Sequence, residues 1–186
     1  MIALTGTPGV GKTSVATALS EIYKIFSVEE LAEKFECIMG EEISEGGTTL
    51  IIDIEELYEK LESVKEEFQN SIVEGHLSHN LPADLIVVLR CNPIVLEKRL
   101  ESKGWSEEKI RENIQAEILD VILVEALESN RKVYEIDTTE KSVKEVANIL
   151  VELIEAEKRG AVIENFKPGK IDWISFLGER VDDFLI

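Results

Sequence analysis

The chain has 186 residues, a length that suits one compact domain and allows roughly 68–70% of the unfolded surface to be buried. It is 44% hydrophobic and 31% charged, with no apolar run long enough for a bilayer-spanning helix. Lys and Arg total 20 against 38 Asp and Glu, a formal charge of −18, so most of the surface repels nucleic-acid phosphate and direct nucleic-acid binding is disfavoured as a main role.

The same acidity either attracts a basic partner protein or only keeps a small enzyme in solution. Met1 runs straight into Ile2-Ala3-Leu4-Thr5, so the expectation is a start already part of the fold, with no charged n-region, apolar h-region and cleavage site before it. Cys37 and Cys91 are far apart and lack a CxxC partner. Reduced thiols in a cytoplasmic setting are the expectation, with neither cysteine a metal ligand.

Taken in chain order, an apolar strand over Ile2–Thr5 leads into a glycine-rich loop and then a helix over Lys12–Tyr23. A weak strand, Tyr23–Phe26, precedes an irregular stretch, Ser27–Thr49, whose Gly40, Gly46 and Gly47 mark it as an insertion at a sheet edge. A helix over Asp53–Gln69 and a strand over Ser71–Glu74 follow, then the strand Leu85–Arg90. Asn92-Pro93 supplies an N-cap and a proline at the first position of a helix reaching Lys103. The turn Ser102-Lys103-Gly104-Trp105 separates it from a helix over Glu107–Leu127, capped by Ser106 with Glu107 and Glu108 at its positive end. The strand Lys132–Ile136 and the helix Ser142–Lys158 close the pattern. Continuous apolar strands alternating with helices predict an α/β fold with a parallel sheet covered on both faces. After Arg159 the chain carries Val162-Ile163, Phe166, Trp173-Ile174, Phe176-Leu177 and Phe184-Leu185-Ile186, too apolar for a disordered tail. An added helix and strand packed on the core, or a partner-binding surface, would account for it.

Chemistry enters at Gly6-Thr7-Pro8-Gly9-Val10-Gly11-Lys12-Thr13, a Walker A loop between strand and helix. Gly9 and Gly11 let backbone N–H groups wrap a β-phosphate, Lys12 reaches the β- and γ-oxygens, the Thr13 hydroxyl ligates Mg2+, and Ser14 donates to the α-phosphate. A nucleoside triphosphate, ATP in a small kinase or ATPase, is the implied substrate. Such loops pair with an acidic residue at the end of a second apolar strand that orders water on the metal, and Ile72-Val73-Glu74 fits. If that strand continues through Gly75, His76 faces the same side as Glu74. His76 then orients an attacking water or senses the γ-phosphate, or else is a hydrogen-bonded strand-end histidine. His79 reads as a surface-loop residue, since no ligand set with zinc spacing accompanies it. Arg99 and Lys103, four apart on a helix before a Gly104 hinge, suit either a basic lid or a solvated face.

Gly6–Ser14, Ile72-Val73-Glu74-Gly75-His76, and Arg99–Trp105 through Asn113-Ile114-Gln115-Ala116-Glu117-Ile118 together resemble the sixth adenylate kinase isoenzyme family, also called the coilin-interacting nuclear ATPase group. The resemblance spans about residues 1–158. It implies a P-loop nucleoside triphosphate hydrolase fold, a single domain over residues 1–186 with sheet order 2-3-1-4-5. Within it lie an NMP-binding region near 27–50, a lid near 102–112, and a C-terminal extension, 159–186, packed on the core. It also implies phosphate transfer from ATP to AMP, ATP hydrolysis, and a role in small ribosomal subunit maturation beside a basic platform protein, ribosomal protein eleven. Carried over by position, Gly9, Gly11, Lys12, Thr13, Ser14, Lys103 and Lys141 contact ATP and Arg99 lies near its adenine or phosphates. Lys12, Glu74 and His76 are the catalytic set, with Thr13 on Mg2+ directly and Glu74 through water.

Three departures matter. The family often has Asp-x-His where this chain has Glu74-Gly75-His76, and the longer carboxylate favours water activation. Lys103 stands where many members have arginine, which loses bidentate geometry. No arginine precedes Arg90, and Lys34 is the only cation between Ser27 and Asp53. Lys34 is therefore the acceptor-site candidate, amid glutamates that repel a phosphate dianion. Slow AMP turnover follows, and a different small-molecule acceptor is the alternative.

Overall fold

The computed structural model describes residues 1–44 and 47–185. Gly46 of the insertion and Ile186 of the tail lie outside the described residues. Five parallel strands, β1 (Ile2–Thr5), β2 (Lys24–Ser27), β5 (Ser71–Glu74), β6 (Leu85–Arg90) and β7 (Lys132–Asp137), form one sheet in the order β2-β5-β1-β6-β7. Counting only these five, that is the predicted order 2-3-1-4-5. The register sets Ile2 beside Ile72 and Leu85, and Thr5 beside Val88.

Strand alternation splits the core in two. Ile2, Leu4, Leu85, Val87 and Leu89 point to one face, where they join Val15 of α1 (Lys12–Ala18), Leu96 of α4 (Pro93–Glu101), Ile114 of α5 (Glu107–Ile118) and Leu150 of α7 (Val143–Lys158). Ala3, Ile86 and Val88 point the other way, against Leu31 of α2 (Val28–Lys34), Leu57 of α3 (Ile54–Ser63) and Leu123 of α6 (Val121–Glu128). Buried on both faces, the strands need no polar alternation, hence their continuous apolar runs.

Four expectations are corrected. The helix predicted over Lys12–Tyr23 ends at Ala18 and gives way to turns. That predicted over Asp53–Gln69 stops at Ser63 and continues as a 3-10 turn, Lys65–Phe68. The single helix Glu107–Leu127 is two helices, broken at Asp120 with φ +57°. Aspartate tolerates this left-handed conformation, and there its carboxylate pairs with buried Arg90. The described part of Ser27–Thr49 holds regular structure rather than an irregular insertion: α2 begins with a Ser27–Glu30 capping box, a spacing visible in the sequence. An antiparallel hairpin then pairs β3 (Ile38–Ser44) with β4 (Gly47–Ile52).

The tail departs too. It forms short helical turns, including α8 (Trp173–Leu177) and α9 (Asp182–Leu185), and no strand among the described residues. Trp173 and Leu177 are buried in the core cluster of α5 and α7. Among the described residues no helix is long and apolar enough to cross a membrane.

Candidate functional site

The phosphate loop leaves β1 at buried Thr5 and enters α1 at Lys12. Gly11 caps that helix with φ +110°, and a Cβ there would meet nothing within 4 Å. The left-handed backbone selects glycine, and its bare Cα faces open space. Thr138, after β7, places its hydroxyl 3.0 Å from the Val10 carbonyl and 2.9 Å from that of Arg90. Arg99 donates to the same Val10 carbonyl and to the Thr138 and Thr139 carbonyls, at 3.1–3.4 Å. The guanidinium thus ties the loop to the turn before α7, holding both walls of the site.

Lys12 is buried, and among the described residues its ammonium donates only to the carbonyls of Gly6 at 2.7 Å and Thr7 at 3.2 Å. Burial is the main reason its pKa falls to about 8, with Lys103 pushing the same way and Glu74 opposing. A desolvated cation held by neutral acceptors gains from an arriving anion.

Thr13 Oγ1 lies 3.1 and 3.2 Å from the two carboxylate oxygens of Glu74. Desolvation raises the Glu74 pKa, against the Thr13 hydrogen bond and Lys12. A hydroxyl and a carboxylate side by side are hard oxygen donors that fit Mg2+, which takes few protein ligands and completes its shell with water and phosphate. Among the described residues no cluster of three His, Cys, Asp or Glu offers a metal site without such additions.

The strand does not continue as the pairing of Glu74 with His76 required. β5 ends at Glu74, and Gly75 turns the chain with φ +150°, where a Cβ would meet Val28 Cγ2 at 2.7 Å. His76 therefore owes its place to this turn. It keeps solvent contact, and its pKa is lowered by partial desolvation first and by Lys12 second. His79 is not a surface-loop residue: it is 1% exposed, with Nδ1 3.1 Å from Thr5 Oγ1 and Nε2 3.0 Å from Glu125. Thr5 also donates to the His76 carbonyl at 3.3 Å, so His79 helps to anchor the turn that carries His76.

One cleft of about 350 Å3 is lined by all eight residues assigned to ATP: Gly9, Gly11, Lys12, Thr13, Ser14, Arg99, Lys103 and Lys141. Lys141 is steadied by the Asp137 carbonyl at 3.0 Å, and Lys103 lies 5.9 Å from the Trp105 ring centre. The sequence reading missed Thr138, Val143 and Val146 on the far wall, since nothing in their local pattern separates them from ordinary helix and turn residues. Lys34 is not brought to this cleft. Its ammonium lies over the rings of Phe35 and Phe68, at 5.3 and 5.0 Å, at the C-terminal end of α2.

A parallel sheet of this order, with a glycine loop, a buried lysine and a hydroxyl–carboxylate pair at its C-terminal edge, defines a P-loop NTPase fold. The family described as an AAA domain matches residues 2–120. A protein of Archaeoglobus fulgidus named "Putative adenylate kinase" is 50% identical over 186 residues, covering all of this chain and 98% of the relative. One of the same name from Thermococcus onnurineus is 42% identical, covering 93% and 91%. The chain belongs to this family of AAA-domain proteins, together with the archaeal relatives that bear that name. The Archaeoglobus match includes the residues after Arg159, beyond the span of the resemblance drawn from motifs. A gluconokinase structure from Sinorhizobium meliloti 1021 shares the fold at TM-score 0.51 and 19% identity, over 87% of this chain and 97% of that one.

Proposed function

We propose that the chain is a cytoplasmic adenylate kinase that passes the γ-phosphoryl group of ATP to AMP, with ATP hydrolysis as a second activity. The observation that carries this reading is the single cleft in which buried Lys12 meets Arg99, Lys103 and Lys141. The printed name of the archaeal relatives supports the same assignment. Phosphoryl transfer asks a protein mainly to position its reactants and offset charge. Lys12 would hold the β- and γ-oxygens, the loop amides around Gly9 and Gly11 the β-phosphate, and Ser14 the α-phosphate. Arg99, already spent on three backbone carbonyls, shapes the cleft wall, while exposed Lys103 and Lys141 remain able to reach phosphate. Thr13, and Glu74 through water, would hold Mg2+, which when bound would supply neutralisation of phosphate charge. The region 27–50 would receive the acceptor, and residues 102–112 would close over ATP as a lid.

Hydrolysis is favoured by a specific observation. Glu74 is half-buried and raised in pKa, and neighbouring His76 is biased toward neutral imidazole, so both can accept a proton from, or orient, a water. A role in small ribosomal subunit maturation beside a basic platform protein draws support from the charge of −18 and from the hairpin, where Met39 and Ile43 are exposed near Glu41 and Glu42.

ADP formation from ATP with each nucleoside monophosphate, beside phosphate release without acceptor, tests these readings. AMP-dependent ADP formation abolished by Lys12→Ala is expected, with phosphate release reduced by His76→Ala. No response to Lys12→Ala in either assay would overturn the nucleotide assignment.

A further inference from the structure

Behind the phosphate loop lies a buried charge network that the cleft does not include. Glu117, 2% exposed on α5, accepts at Oε2 from the hydroxyl of Thr7 in the loop at 2.5 Å. Its Oε1 accepts from Arg90 Nε at 2.8 Å, the Cys91 amide at 3.1 Å and the Trp173 indole N–H at 3.0 Å. Arg90, itself 1% exposed, also pairs with Asp120 and with Glu135. Glu135 in turn accepts from the amides of Lys170 and Ile171, at 2.8 and 3.2 Å. One short piece of the tail therefore donates three hydrogen bonds to two buried carboxylates, and one of those carboxylates holds the loop.

Thr7 matters because Lys12 leans on it. The Thr7 carbonyl accepts from the Lys12 ammonium, so whatever fixes Thr7 fixes one of the two contacts that place the lysine. A buried carboxylate is held best when every lone pair is used, and the indole N–H supplies one of the donors that Oε1 uses.

We infer that Glu117 is a positioning residue for the phosphate loop, and that Lys170–Trp173, near the end of the chain, complete its setting and so tune ATP affinity from outside the cleft. This rests on the assignment of the cleft to ATP. Neither Glu117 nor Trp173 lines the cleft; the hydrogen-bonded route from both to Lys12 runs through Thr7, and Glu117 adds a direct charge effect on Lys12.

A double-mutant cycle on the full-length chain tests it, with the Kd for MgATP measured by calorimetry and thermal melting followed in parallel. Thr7→Val removes the hydroxyl and keeps the shape, and Trp173→Phe removes the N–H and keeps a ring. Thr7→Val is expected to weaken ATP by about tenfold and Trp173→Phe by about threefold, in line with loss of one hydrogen bond to a charged group. The double variant should be no weaker than Thr7→Val alone, because the tail has then lost its route to Lys12. Multiplying effects, or a Trp173→Phe that lowers the melting temperature without changing Kd, would assign Trp173 to packing and overturn the inference. If Trp173→Phe does not fold, Glu117→Gln takes its place in the cycle, with the same coupling expected and additivity again decisive. Wild type that binds no ATP would overturn the cleft assignment itself, which separates the two failures.

Discussion

The molecule buries two cations within one loop's reach of each other, and they are treated in opposite ways. Arg90 is surrounded by Glu117, Asp120 and Glu135. Desolvation alone would lower its pKa, but Glu117 foremost, and then Asp120, raise it instead. Among the described residues Lys12 is hydrogen-bonded only by two backbone carbonyls, and desolvation outweighs the more distant charge of Glu74, Glu29 and Glu117, lowering its pKa to about 8. A saturated cation cannot be removed without stranding the buried carboxylates around it, whereas one left short of negative charge has binding energy in reserve for a ligand.

The largest effect should come from breaking the saturated side. Arg90→Ala leaves Glu117 and Glu135 buried without a counter-charge, a loss of about 3–5 kcal/mol, read as a fall of roughly 6–20 °C in melting temperature. The deficit should shrink toward acidic pH, where stranded Glu135, its pKa already raised by desolvation, protonates. Lys12→Ala should do the reverse. Turnover falls by about 10²–10³ or more, while the melting temperature holds or rises, because a desolvated ammonium is gone. A Lys12→Ala protein that melted far below wild type would erase the distinction.

A third, smaller effect concerns pH. Phosphate stabilises protonated Lys12, so its pKa rises on binding; affinity is full below pH 8 and falls as pH climbs past the free-state value. ATP should bind about tenfold more weakly at pH 9 than at pH 7, with proton uptake. Calorimetry at pH 9 in two buffers of different ionisation enthalpy reads that uptake, and none would mean that Lys12 is already charged. The smallest change is expected at Lys34→Ala, where the KM for AMP should move by less than about twofold, since that ammonium is engaged with Phe35 and Phe68. A large rise would place Lys34 in the acceptor site.

Much of the site was legible because its signals are local. Gly6–Thr13 lies between a strand and a helix, and Glu74 ends an apolar strand; such spacings fix direction within one or two elements. The Ser27–Glu30 capping box was equally local and equally readable, although the glycines downstream masked the helix it starts. His79 was misplaced for the opposite reason. Its burial depends on Thr5 and Glu125, 74 and 46 residues away, and no local pattern marks them as neighbours. The break at Asp120 depends likewise on Arg90, 30 residues earlier.

The sequence by itself determined the five strands of the parallel sheet and the identity of the phosphate loop, because hydrophobic period and glycine spacing act over a few residues. Only the tertiary structure decided that Gly75 turns His76 out of the strand, that Lys34 stands away from the cleft, and that Trp173 reaches Thr7 through Glu117. Those outcomes rest on hydrogen bonds and charge pairs between segments far apart in the chain, whose geometry exists only once the sheet has brought them together.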